Sequence, residues 1–364
     1  MTIDPYATIY DELYREIAAM TPGEPIPSVR RLMARFSVSQ LVIVRVMDRL
    51  REDFDIESQV GRGTFKGAGQ PGQPVATTSI MFYLPDVYSH FQHEILSTME
   101  TAVAARNLRL QVRRYPWDRV PRQFAVTADT GGVLIMPPSF LTATELAGIE
   151  AIPVPTVLLD YIPHGMRLHG VASDNSFGGA MAANHLIDQG LSRLAMISAE
   201  PSLNANVKAR RRGFDRQCRL AGIAAPRFID GHSPMGVTPA DVAYEVMRRT
   251  LADGPLDFQG LFADSAPTAL GVLKACREAG IAVPDDLALI AFDDSPEARY
   301  MHPSISVLKQ DVAAWAEAAL DIIATPPETA DSPAPHHVQI PPRLIVRESS
   351  VVMQPEHEVA QPLA

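Results

Sequence analysis

A chain of 364 residues with a formal net charge of −10, 46% hydrophobic and 20% charged, is long enough for several folding units with sizeable cores, and no run approaches 18 consecutive apolar residues. Its two cysteines, Cys218 and Cys276, fall inside predicted helices without metal-ligand spacing, and no basic-then-apolar start marks an export signal; a cytoplasmic protein without metal or other cofactor is expected. An acidic chain is no general polyanion binder, so any nucleic-acid site must be a local basic patch.

Such a patch lies near the start. Pro22-Gly23-Glu24-Pro25-Ile26-Pro27-Ser28 reads as a rigid turn whose Ser28 caps a helix over Val29–Phe36. Ser37 breaks that helix, and a second one, opening at Ser39 and running through Leu50, places Gln40, Arg45, Arg49 and Arg51 among its polar positions. Two helices joined by so short a turn have helix-turn-helix spacing, whose second helix lies in the major groove. The run FDIESQVGRGTFKG then alternates and turns through Gly61-Arg62-Gly63, as a two-stranded wing with a cation at its tip would. Between Arg30 and Arg51 six arginines oppose one acid, Asp48. A solvated helix face explains the arginines alone; the coincidence of turn, helix pair and hairpin favours double-stranded DNA as partner.

A Gly- and Pro-rich tether without apolar periodicity is expected over 68–78, after a DNA-binding domain over 1–67. Beyond it, short apolar runs alternate with helical stretches: SIMFYLP, LRLQVRRY, GGVLIMP and PTVLLDY read as strands, and HFQHEILSTMETAVAARN and ATELAGIE as helices. A second series follows from Val171, with strands in GVASDN, RLAMISA, GLFAD and LALIAFDD and helices in VKARRRGFDRQCRLAG and from Ala266 to Ala279. Strands alternating with helices imply parallel sheets with right-handed crossovers, so the expected class is α/β: two Rossmann-like lobes facing a cleft, ligand at the C-terminal edges of the strands.

Two resemblances sharpen this. Residues 6–67 resemble the GntR-type winged helix in PGEPIPSVR, FSVSQLVIV and GRGTF. The resemblance implies that Ser28 and Arg30 hold phosphate, that Ser39, Gln40 and Arg45 belong to the recognition helix, and that Arg62, Gly63 and Thr64 form the wing tip. Gln40, Val42 and Val44 depart from the arginine, threonine and second arginine of that pattern, each removing a donor. Residues 79–350 resemble the LacI/GalR effector domain, itself similar to type I periplasmic binding proteins, in VASDNSFGGAMAANHLIDQGLSRLAMIS, KARRRGF, PDDLALIAFDDS, HPSISVLKQD and PPRLIVRESS. That resemblance implies a first lobe over about 79–170 and 304–336, a second over about 171–303 and 337–350, and a tail from 351. A GntR-type head on a LacI/GalR-type sensor resembles a chimeric class of sugar-catabolism repressors, which implies a homodimer on a palindromic operator.

The same resemblance implies effector contacts at Phe91, Asp174, Arg210, Ser265 and Asp293, since a polyhydroxy ligand needs carboxylate acceptors, a forked donor and an aromatic face. Asp174 could equally cap a helix, and Phe91 could fill core. Ser265 and Ala266 stand where the family commonly has Asn-Asp, which points away from the common hexoses toward another sugar, a sugar acid or a nucleoside. Catalysis is not expected: no P-loop, HExxH or GxSxG is present, and the chain is short of what an aminotransferase-like partner of a GntR head requires. A transport-type binding protein would share the cleft but not the head, and a binding module with a weak head is the remaining alternative.

Overall fold

The structure, a computed structural model, describes residues 5–21, 23–36, 38–54, 56–59, 63–66, 78–87, 89–117, 119–138, 140–163, 165–233, 237–325 and 335–352. The chain divides into two compact units between Thr77 and Thr78.

The first unit contains α1 (Pro5–Ala19), β1 (Pro25–Ile26), α2 (Val29–Phe36), α3 (Gln40–Asp53), β2 (Ile56–Gln59) and β3 (Gly63–Lys66). Ile9, Leu13 and Ile17 recur every four residues, so one face of α1 is apolar and packs with Leu32 of α2 and Ile43, Val46, Met47 and Leu50 of α3. The wing is an antiparallel sheet in the order β1-β3-β2. Lys66 at its end is 7% exposed and donates its amine to the carbonyls of Ile17 at 2.9 Å and Met20 at 2.6 Å. A cation thus satisfies orphan carbonyls where a helix dipole is negative, tying wing to α1.

The second unit has two lobes. The first holds β4 (Ser79–Pro85), α4 (His90–Ala105), β5 (Arg109–Tyr115), β6 (Thr130–Ile135), α5 (Ala143–Glu150), β7 (Thr156–Leu159) and β8 (His169–Ser173), with α11 (Val312–Ala324) and β14 (His337–Ile340) returning later. The second holds α6 (Asn175–Asp188), β9 (Leu194–Ser198), α7 (Ala205–Leu220), β10 (Arg227–Asp230), α8 (Pro239–Ala252), β11 (Gly260–Ala263), α9 (Ala266–Glu278), β12 (Ala288–Phe292), α10 (Pro296–Tyr300), β13 (Ser306–Lys309) and β15 (Arg343–Ile345). The sheet orders are β14-β8-β7-β6-β4-β5 and β10-β9-β11-β12-β13-β15, every pairing parallel except β13 with β15. Helices cover both faces, so β4, β9, β11 and β12 are buried along their whole length and read as unbroken apolar runs.

The crossings between lobes fall later than the expected 170, 303 and 336. The strand β8 runs to Ser173 in the first sheet, β13 pairs with β12 in the second, and β14 pairs with β8 in the first. An apolar run reads the same whichever sheet accepts it; only the pairing partner decides.

Candidate functional site

The C-terminal ends of β7, β9, β11 and β12 converge where the lobes face each other. The centre is Arg210 on α7, only 5% exposed. Its Nε donates to Oδ1 of Asn175 at 2.8 Å, its Nη1 to the carbonyl of Asp264 at 2.6 Å, and its guanidinium lies 3.5 Å from the centroid of the Phe292 ring. A fork held by two hydrogen bonds and an aromatic face has little rotamer freedom left. Its backbone is fixed as firmly: a Cβ on Gly179 would run into the carbonyl of Arg210, and one on Gly213 into the carbonyl of Ser176, so α6 and α7 approach backbone to backbone.

Four carboxylates surround this single guanidinium. Asp264 is fully buried and saturated: Oδ1 accepts from the Thr268 hydroxyl at 2.6 Å, and Oδ2 from the amides of Ala199 and Glu200 at 3.1 Å each. Asp160, Glu200 and Asp293 line the crevice, each partly accessible. Asp160 accepts from Nδ2 of Asn206 at 2.8 Å, a bond between the lobes, and Asp293 from Nε2 of Gln310 at 2.6 Å. Asp160 and Asp293 both adopt left-handed backbone, φ 58° and 72°, a region a non-glycine residue enters at a cost and which clusters at functional sites. Burial pushes the carboxyls of Asp160 and Glu200 up to about 7 and that of Asp264 to about 6, and raises Asp293, while Arg210 pulls all four back down. Glu200 also borders a cavity of about 80 Å³ lined by Ser198, Asn204, Lys208 and Arg211.

The five expected effector residues divide. Arg210 and Asp293 meet in the crevice. Asp174 accepts from the Phe177 amide at 2.8 Å as the N-cap of α6. Ser265 is the N-cap of α9, its hydroxyl 3.0 Å from that of Thr268, and it favours the charged form of Glu200. Phe91 packs edge-on against Trp315, 5.7 Å between ring centroids, at the margin of the first lobe's core. Asp160, Glu200, Asn175, Asn206 and Gln310 escaped the sequence reading. Asp160 and Glu200 stand just beyond the strands of PTVLLDY and RLAMISA, the edge where open α/β sheets bind ligands, and that rule could have found them. Two further polar contacts join the lobes, His90 to Glu297 at 2.7 Å and the ion pair of Lys309 with Glu94 at 3.1 Å.

In the winged unit, Ser39 is the exposed N-cap of α3, and Arg45 stands exposed on the face of that helix opposite Ile43 and Met47. Ser28 caps α2 by accepting from the Arg31 amide at 3.4 Å, while Gly63 and Thr64 open β3. Arg62 lies outside the described residues, as do the side chains of Arg30 and Gln40. Two details revise the donor count: Arg35 is taken by Glu12 and Glu16 of α1, both at 2.7 Å, and Val42 packs into the core of the unit.

A winged helix and a two-lobed parallel-sheet clamp with a polar crevice define the architecture. Residues 5–65 match the bacterial regulatory proteins of the gntR family, and residues 183–350 match the periplasmic binding protein-like domain, so a GntR-like segment precedes a unit with the fold found in LacI-family regulators. It is 30% identical over 170 residues to the ribose operon repressor of Escherichia coli strain K12, covering 47% of this chain and 50% of that protein. To the HTH-type transcriptional repressor PurR of Glaesserella parasuis serovar 5 it is 27% identical over 226 residues, 60% of this chain and 64% of that one. The chain therefore spans between half and two thirds of the length of these curated relatives. Among solved structures, a LacI family transcriptional regulator from Enterococcus faecium with bound ribose superposes with a TM-score of 0.60 at 19% identity, over 76% of this chain and 100% of that one. The lac repressor dimer bound to operator and the anti-inducer ONPF gives 0.62 at 16% identity, over 76% and 94%. No helix among the described residues is long and apolar enough to cross a membrane.

Proposed function

We propose that the protein is a ligand-responsive transcriptional regulator, a repressor that acts in the cytoplasm as a homodimer on a palindromic operator and takes a sugar or sugar-like effector between its lobes. The reading is carried by the buried, doubly bonded and ring-stacked Arg210, aimed with Asp160, Glu200 and Asp293 at one crevice, in a chain whose head presents Ser39 and Arg45 on a recognition helix. A preorganised fork and ring of acceptors suits hydroxyls, which both donate and accept. The lobes touch through Asp160 and Asn206, so an effector bridging them favours one lobe arrangement, and whatever affinity difference it has between arrangements is available to change operator binding. No catalytic role is assigned: Cys218 and Cys276 are buried with their thiols pushed up to about 11 and 12 by burial, far from a reactive thiolate.

Selection of random duplex DNA by the purified protein is expected to enrich an inverted repeat, and enrichment of none leaves a binding module with an inactive head. Arg45→Ala should weaken operator binding and lower the salt slope by about one, whereas Arg35→Ala, whose guanidinium is spent on α1, should leave both unchanged. A thermal-shift series over sugars and nucleosides is expected to find a stabilising ligand whose effect vanishes in Asp293→Ala; an undiminished shift would place the ligand elsewhere.

A further inference from the structure

Resting on that reading, we propose that the crevice ligand is a hydroxylated cation, an amino sugar or aminated polyol, and that Glu200 with Asp160 and Asp293 selects its positive charge over the matching neutral sugar or sugar acid. The argument is one of charge balance. Arg210 supplies one positive charge; Asp160, Glu200, Asp264 and Asp293 supply up to four negative ones, each close enough to feel the guanidinium. Among the described residues none of the four carboxylates forms an ion pair with a lysine or arginine. Arg211, one residue along, is committed to Asp230 at 2.8 Å, and Lys208, which lines the cavity that Glu200 borders, is a solvent-exposed cation with no carboxylate of the four as ion-pair partner. Asp264 is saturated by neutral donors, which leaves Asp160, Glu200 and Asp293 at the crevice, where Asp293 and Glu200 both disfavour the charged form of Asp160 by repulsion. An anionic ligand adds to that repulsion. A neutral sugar leaves it in place, and an ammonium relieves it while filling acceptor positions that hydroxyl donors would share.

Two buried polar atoms near these residues lack a partner within the chain. Gln310, 4% exposed, donates its Nε2 to Asp293, yet its Oε1 has no hydrogen-bond partner. Ser173, 1% exposed and two residues before Asn175, likewise holds a hydroxyl without one. Buried polar atoms are paired in folded proteins with few exceptions, so an orphan acceptor beside an acidic cluster calls for a donor from outside the chain. A metal ion does not fit that need: no group of three His, Cys, Asp or Glu among the described residues is arranged to hold one.

The test is calorimetric titration of the full chain with three matched sets of probes: glucosamine, glucose and glucuronate; galactosamine, galactose and galacturonate; glucamine, sorbitol and gluconate. The amine of at least one set should bind about tenfold more tightly than its neutral partner, with no binding of the acid, and Glu200→Gln should weaken the amine by about that factor more than it weakens the neutral partner; an equal loss for both overturns the charge selection. Equal or tighter binding of a neutral or acidic member, or no binding by any amine of the panel, overturns the assignment of charge. Failure of the crevice reading looks different: whichever probe binds would then bind as well to Arg210→Met and Asp293→Ala as to the natural chain.

Discussion

The two lobes share a parallel-sheet plan but face the crevice with different chemistry. The second lobe presents a braced polar wall: Arg210 clamped by Asn175, Asp264 and Phe292, with Glu200 and Asp293 beside it. The first offers Asp160 and holds an aromatic pair, Phe91 against a Trp315 that is fully buried. Rigid recognition on one side and packed hydrocarbon on the other suit a sensor in which one lobe reads the ligand and the other closes over it.

The largest effect expected is in the first lobe. Trp315→Ala empties the centre of its core and should cost about 3–5 kcal/mol in chemical denaturation. If Trp315 instead reads the ligand directly, a far smaller loss of stability would accompany a total loss of binding. Arg210→Met removes two charge-assisted hydrogen bonds, worth about 3 kcal/mol together, and should abolish the ligand-induced thermal shift while the hydrophobic core stays packed. Retained binding would dissolve the distinction between the lobes.

The acidity of the crevice gives a third measurement. Asp160 and Glu200 have folded-state values of about 7, above those of an unfolded chain, so the folded state holds more protons in between. Their contribution to stability is therefore full below the ordinary carboxylate range and is lost as pH rises toward about 7. Melting temperature should fall across that interval, and the Asp160→Asn, Glu200→Gln double variant should flatten the curve. The smallest effect expected is that of Asn206→Ala, which removes the amide bonding Asp160 across the lobes: about 1 kcal/mol, with weaker ligand binding.

Much of the fold was legible because a sheet covered on both faces leaves unbroken apolar runs, as in SIMFYLP and LALIAFDD. The lobe crossings were not, since β8, β13 and β14 owe their place to partners far along the chain. The helix α1 was overlooked although Ile9, Leu13 and Ile17 carry its period. In the crevice, Arg210 and Asp293 were readable because each sits in a local motif. Asp160, Glu200 and Gln310 were not, because their meaning comes from neighbours brought together by tertiary structure: Asn206 lies 46 positions from Asp160, and Gln310 lies 17 from Asp293. After GLFA it is Asp264 that faces inward as a brace, accepting from the Thr268 hydroxyl, a role its sequence neighbours do not announce. On the head, Arg35 looked like a DNA cation until α1 supplied its two glutamates.

The contact of α6 with α7 through Gly179 and Gly213 has a corollary. Because main chain meets main chain there, the backbone that carries Arg210 is held against α6 without depending on the size of a side chain between them. Substitution of Glu200 or Asn206, neither of which takes part in that glycine contact, leaves the backbone under Arg210 where it is.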